Sequence, residues 1–205
     1  MSKISTDILL DMQDLGKVFT SGTHALDKVN LQIPRGQFVS IVGPSGCGKS
    51  TLIRLIAGLE RYTAGTLIVD GQDPIKARER SNDLAYVFQD PTLLPWRNVF
   101  KNVTLPLELR GQVIDERIRA ILETVGLSDF STALPSQLSG GMRMRVSIAR
   151  ALATNPGLLL LDEPFGALDE ITRQRLNEEL LKLWERDHWT GIFITHNVYE
   201  AAFLA

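Results

Sequence analysis

The chain has 205 residues, which suits one domain or one domain with a sub-lobe. Its 44% hydrophobic content is enough for a packed core and excludes a disordered chain. A formal net charge of -2 argues against a general nucleic-acid binder, which would be basic.

Cys47 is the single cysteine, so no internal disulfide can form, and a reducing compartment fits. The longest leucine run ends at Asp162, far short of the roughly 18 apolar residues that span a bilayer. The N-terminus MSKISTDILLDMQD has acids close behind a short apolar patch and no small-residue cleavage pattern, so no leader is expected. A soluble chain is expected, with any membrane role passing through a partner.

Short apolar runs alternate with amphipathic stretches. FVSIV at 38–42 reads as a buried strand that Gly43 ends. Residues 50–58 have helical spacing, with Leu52, Ile53 and Ile56 on one side. TLIVDG at 66–71 and LAYVF at 84–88 read as strands. From 90 to 156 the character changes to helix, loop and helix, with helices at 117–125 and 142–152. GLLLLDEP at 157–164 reads as a strand buried on both faces, as in a parallel sheet. Residues 169–184 form an amphipathic helix with Leu176, Leu180, Leu183 and Trp184 in one stripe. GIFIT at 191–195 is the last strand. This alternation predicts a three-layer α/β core with an α-helical sub-lobe.

GPSGCGKS matches G-x-x-x-x-G-K-[ST] between a strand and a helix, the context that gives the motif its meaning. Gly43, Gly46 and Gly48 let the backbone approach phosphate closely. Lys49 is expected to reach the β- and γ-phosphates, the Ser50 hydroxyl to ligate Mg²⁺, and Thr51 to add a phosphate contact. An acid pair after four leucines is costly to bury unpaired, so Asp162 and Glu163 are expected to have work to do. Neighbouring side chains on a strand point to opposite faces. Asp162 is therefore assigned to Mg²⁺ and Glu163 to polarising the attacking water.

Gln89 follows LAYVF and His196 follows GIFIT, both at strand ends. Gln89 is a candidate for Mg²⁺ or water, and His196 for the γ-phosphate. Phe19 is a candidate for stacking on adenine, although a core aromatic is its plainer reading. A second glycine opening, LSGG at 138–141, precedes a helix, and such an opening leaves backbone N–H groups free. Met142, Val146, Ala149 and Ala153 give that helix an apolar stripe.

Together these motifs resemble, in order and over essentially the whole chain, the nucleotide-binding ATPase subunit of an ABC transporter. GPSGCGKST resembles the Walker A loop, LLLLDEP the Walker B strand with its following glutamate, and LSGG the signature. FQD at 88–90 resembles the Q-loop, ALD at 167–169 the D-loop, and THN at 195–197 the H-loop. Met142 stands where the signature commonly has glutamine, and GALD replaces a serine that often precedes the alanine.

The resemblance implies an α/β fold: a three-layer P-loop NTPase core, RecA-like with an antiparallel β subdomain, plus an α-helical signature subdomain. The core is expected at about 1–89 and 157–205 and the helical subdomain at about 90–156. It implies ATP and Mg²⁺ as ligands. Gly43, Pro44, Ser45, Gly46, Cys47, Gly48, Lys49, Ser50, Thr51, Phe19 and Gln89 are assigned to the nucleotide. Ser139, Gly140, Gly141 and Asp169 are assigned to the nucleotide of a facing subunit. Glu163, His196, Gln89 and Lys49 are assigned to catalysis, and Ser50, Gln89 and Asp162 to the metal.

Two subunits are expected head to tail as a homodimer, each ATP lying between one Walker loop and the other subunit's signature helix. Permease subunits are expected at about 90–111, with Leu93, Leu94, Trp96 and Phe100 as contact candidates beside a core-packing alternative. A substrate-binding protein is an indirect partner, no nucleic acid is expected, and the place is the cytoplasmic face of the cell membrane, peripherally. The wording LLPWRNVFKNV is most similar to the importers of nitrate, sulfonate or taurine. The alternatives are a soluble ABC ATPase not coupled to transport and a non-hydrolysing structural subunit. Related subunits continue beyond an H-loop helix, so a truncated C-terminus is expected.

Overall fold

The computed structural model describes residues 7–80, 83–113, 116–166 and 168–204. Ala167, in the stretch read as a D-loop, lies outside them. A strand without clean alternation opens the chain: β1 (Ile8–Val18) pairs antiparallel with β2 (His24–Pro34) on one side and with β4 (Ala64–Val69) on the other. The residues alone gave no strand over 8–34, because bulges near Asp14 break the period-2 pattern that would have revealed one.

The second sheet is parallel, in the order β3 (Phe38–Val42), β7 (Thr190–Thr195), β6 (Leu158–Asp162), β5 (Leu84–Val87). One of its two inner strands, β6, shows why the fold has three layers. Leu158 and Leu160 pack with α1 (Lys49–Ile56) and the antiparallel sheet, while Leu159 and Leu161 pack with the helices on the other side. All four are buried, each contributing about 1.5–3 kcal/mol, and no polar face is left to orient the strand toward water. Four of the five strands predicted from apolar runs thus make up the parallel sheet and the fifth is β4, with ends shifted by two residues at most.

Besides the short α2 (Pro74–Arg80), the helices between and after the strands are α3 (Val99–Leu109), α4 (Arg117–Thr124), α5 (Gly140–Leu152), α6 (Glu170–Asp187) and α7 (Val198–Leu204). The predicted stripe on α5 is broader than expected: Met144, Ile148 and Leu152 are buried besides Val146 and Ala149, and Met142 is only half-buried.

Pro91 and Pro95 lie ahead of α3, so 88–111 is not one long helix, but α3 runs straight through Pro106. Pro106 has no N–H to offer and such a position costs about 3 kcal/mol. Three terms offset it. Val99, Val103 and Leu107 repeat at i, i+4 and i+8 and are buried. Asn98 caps the start, its side chain accepting from the Lys101 amide. Asn102, fully buried, donates to the carbonyls of Leu94, Arg97 and Asn98 and accepts from the Leu94 amide. Asn102 thereby ties the irregular loop 94–98 to the helix.

The contact candidates divide. Leu93 and Phe100 pack against the core, whereas Trp96 is 74% exposed on the tied loop.

Candidate active site

The loop after β3 leads into α1 without a side-chain cap, unlike α3, α5 and α6, which Asn98, Ser139 and Asp169 cap. The first amides of α1 and the positive end of its dipole therefore face the loop. Gly48, the residue before α1, has φ +99, and an added Cβ would lie 2.3 Å from the Ala25 carbonyl oxygen of β2. The β1–β2 hairpin thus rests directly on the phosphate loop, and only glycine fits the contact. Phe19, in that hairpin, is half-buried, and the Lys17 ammonium sits 4.9 Å over its ring. It is not a core residue, which removes the plainer reading.

Lys49 is 7% exposed. Its ammonium donates to the carbonyls of Gly43 (2.8 Å) and Pro44 (2.9 Å) and lies 3.8 Å from a Glu163 carboxylate oxygen. A buried cation beside a glycine loop and an uncapped helix start is an arrangement that can hold an anion.

Asp162 ends β6 and is 6% exposed. Its Oδ1 accepts from the Ser50 hydroxyl at 3.0 Å and its Oδ2 from the Tyr86 hydroxyl at 3.0 Å. Burial, and secondarily the Asp162 charge, push the Tyr86 phenol far above its ordinary range, with the Arg54 guanidinium pulling the other way. Tyr86 therefore keeps its proton and acts as a permanent donor.

The expected separation of Asp162 and Glu163 onto two strand faces is not how the structure divides them. The strand stops at Asp162, and Glu163 turns to φ +46, a left-handed conformation that costs on the order of 1 kcal/mol or more in a non-glycine residue. Its amide donates to the Ile194 carbonyl at 3.0 Å, which holds the turn. The side chain then lies between Lys49 and His196, whose Nδ1 is 3.3 Å from Glu163 Oε2.

The chain around His196 is held by its neighbours. The buried Thr195 hydroxyl donates to Glu200 and accepts from the Asn197 amide, and Asn197 Oδ1 accepts from the Tyr199 amide at the start of α7.

The donor set fits Mg²⁺ held together with a polyphosphate. A hydroxyl and a carboxylate oxygen, both hard donors, converge at Ser50 and Asp162. No group of three or more His, Cys, Asp or Glu side chains gathers among the described residues. Mg²⁺ ordinarily takes one or two protein ligands and draws the rest from phosphates and water, so a two-residue shell suits it. Gln89, the third expected ligand, is exposed past β5 with no hydrogen bond to this group.

The signature residues stand apart from this constellation. Ser139 caps α5, accepting from the Met142 amide at 3.2 Å. Gly141 is snug: an added Cβ would meet Leu168 at 3.3 Å and Thr172 at 3.5 Å, beside the start of α6. Gly140 is open, its nearest neighbour being Arg143 at 4.0 Å. Asp169 caps α6, and the Thr172 amide holds its carboxyl below the usual carboxylate range. Cys47 is exposed in the phosphate loop.

Sequence reasoning missed Tyr86, Asn102 and the Ala25 carbonyl. Tyr86 and the Ala25 carbonyl act through contacts distant in sequence and Asn102 through the irregular loop just before its helix, and a tyrosine inside an apolar strand was the only available signal.

Residues 26–166 match the ABC transporter family. The aliphatic sulfonates import ATP-binding protein SsuB of Bacillus cereus is 41% identical, over 96% of this chain and 78% of that protein. The nitrate import ATP-binding protein NrtD of Synechocystis is 47% identical, over 96% of this chain and 75% of that protein. The fold is similar to a dimeric ATP-binding cassette in a post-hydrolysis state bound to ADP and Pi, with a TM-score of 0.82 and 37% identity, covering 95% of this chain and 90% of that one. With its phosphate loop, acidic strand end and signature helix set in this fold, the chain belongs to the ABC transporter family.

Proposed function

We propose that the chain binds and hydrolyses ATP as the energising subunit of a membrane importer for a small solute such as nitrate, a sulfonate or taurine. The observation that carries the reading is the convergence of Lys49, Ser50, Asp162, Glu163 and His196 on one glycine loop.

In this reading the loop residues 43–51 cradle the phosphates, and Lys49 leaves its two carbonyl partners for the β- and γ-oxygens. Ser50 and Asp162 would hold Mg²⁺, which would neutralise charge gathering on the phosphates. Glu163, oriented by His196, takes a proton from the attacking water. The water oxygen bonds to the γ-phosphorus as the bond to the bridging oxygen breaks. His196 donates to the γ-phosphate, Gln89 would contribute to the metal and the attacking water, and Phe19 stacks on adenine.

Ser139, Gly140 and Gly141 of a second copy, with its Asp169, complete the site from the other side. The likeness to a dimeric cassette supports this arrangement. The nucleotide core then comprises 1–89 and 157–205 and the helical subdomain 90–156. Permease subunits dock on 90–111, where Trp96 is presented, and a substrate-binding protein acts through them. The relatives named for sulfonate and nitrate import support the importer assignment and a place at the cytoplasmic face of the membrane. Among the described residues no helix is long and apolar enough to cross a membrane.

Phosphate release from ATP, compared between the parent chain and Glu163→Gln, tests the assignment. The parent is expected to turn over with Mg²⁺, and the variant to bind ATP while losing at least about a hundredfold in rate. Turnover by the variant at the parent rate would remove Glu163 from its role.

A further inference from the structure

Asp162 offers two oxygens, and the structure gives them different partners. Oδ1 faces Ser50, where the metal would sit, and Oδ2 is occupied by the Tyr86 hydroxyl. Strand register makes this possible. Tyr86 pairs with Leu160 across the parallel β5–β6 ladder, so it shares a sheet face with Leu160 and Asp162 and its ring reaches one pleat along to the carboxylate. The carboxylate is buried, so losing one of its two donors leaves it free to rotate, with an oxygen unpaired.

The other end of the contact reaches the surface. The Tyr86 and Phe88 rings pack at 4.3 Å between centroids, tilted by 33°. Phe88 is 40% exposed, and both rings line a groove of about 320 Å³ with Leu105, Pro106 and Leu109 of α3. The exposed Phe88 ring thus connects the groove to the tyrosine that holds Asp162.

We propose that Tyr86 is a positioning residue for Mg²⁺ binding: its hydroxyl sets the Asp162 carboxylate so that Oδ1 stays aligned with Ser50, and Phe88 ties that hold to the groove beside α3. The inference rests on the nucleotide reading above. Groups that orient a ligating carboxylate commonly change metal affinity by about 10–100-fold when removed.

Titration of a fluorescent ATP analogue into the parent chain, Tyr86→Phe and Phe88→Ala, each in EDTA and across a Mg²⁺ series, tests it. In EDTA the three proteins are expected to bind alike, because Lys49 and the loop are untouched. Tyr86→Phe is expected to need roughly tenfold more Mg²⁺ for half of the affinity gain. Phe88→Ala is expected to shift the same way by a smaller factor. An unchanged Mg²⁺ requirement in Tyr86→Phe would overturn the role of Tyr86 while leaving the nucleotide site intact. Equal loss of affinity with and without Mg²⁺ would also overturn it, since that marks general loosening of the site. An unchanged requirement in Phe88→Ala would cut the link to the groove. A parent chain that binds no nucleotide would overturn this inference together with the reading beneath it.

Discussion

Two helix starts in this molecule open on glycines, and they are built differently. At α1 the glycines are demanded by the chain itself: Gly48 is left-handed and pressed against Ala25, the helix has no side-chain cap, and Lys49 and Glu163 are gathered around it. At α5 the helix is already capped by Ser139, Gly141 packs against Leu168 and Thr172, and Gly140 faces open space. The first opening is surrounded by its own chemistry. The second has a finished inner side and a bare outer side. The difference teaches that glycines at a helix start can be closed in by their own chain or left open on one side, and that the packing around them tells which.

The largest effect is expected at the first opening. Lys49→Ala should cost about a hundredfold or more in ATP affinity, because it removes a buried cation facing the phosphates. Titration of a fluorescent analogue measures this, and parent-like binding would break the comparison at its root.

The next prediction separates the two openings. Gly48→Ala should destabilise the fold by about 2–4 kcal/mol in urea unfolding, through strain and contact with Ala25. Gly140→Ala should leave stability within about 0.5 kcal/mol and yet impair ATP hydrolysis. Equal destabilisation at both positions would contradict the contrast. Ser139→Ala is expected to fall between the two, loss of the cap costing about 1 kcal/mol in the same unfolding assay.

Much of the site was legible in sequence because motif spacing places residues without reference to distant packing. Lys49 and Ser50 sit at fixed offsets on a strand–loop–helix, and Asp162 and Glu163 follow a leucine run that can only be a buried strand. The rest depended on irregular loops or on contacts across the fold. An asparagine such as Asn102 looks like a solvated helix residue until its four hydrogen bonds to Leu94, Arg97 and Asn98 are known. The left-handed turn at Glu163 is set by the Ile194 carbonyl, 31 residues on, and local preference argues against it. The helix through Pro106 likewise reverses a local rule, because three buried side chains outweigh one missing hydrogen bond.

The most direct test of the central claim, that the second glycine opening completes a partner's nucleotide site, is the mass in solution of Glu163→Gln with and without MgATP. Blocked hydrolysis should trap the nucleotide, so a shift from monomer to dimer on adding MgATP is the predicted result. A variant that binds MgATP and stays monomeric would contradict the claim.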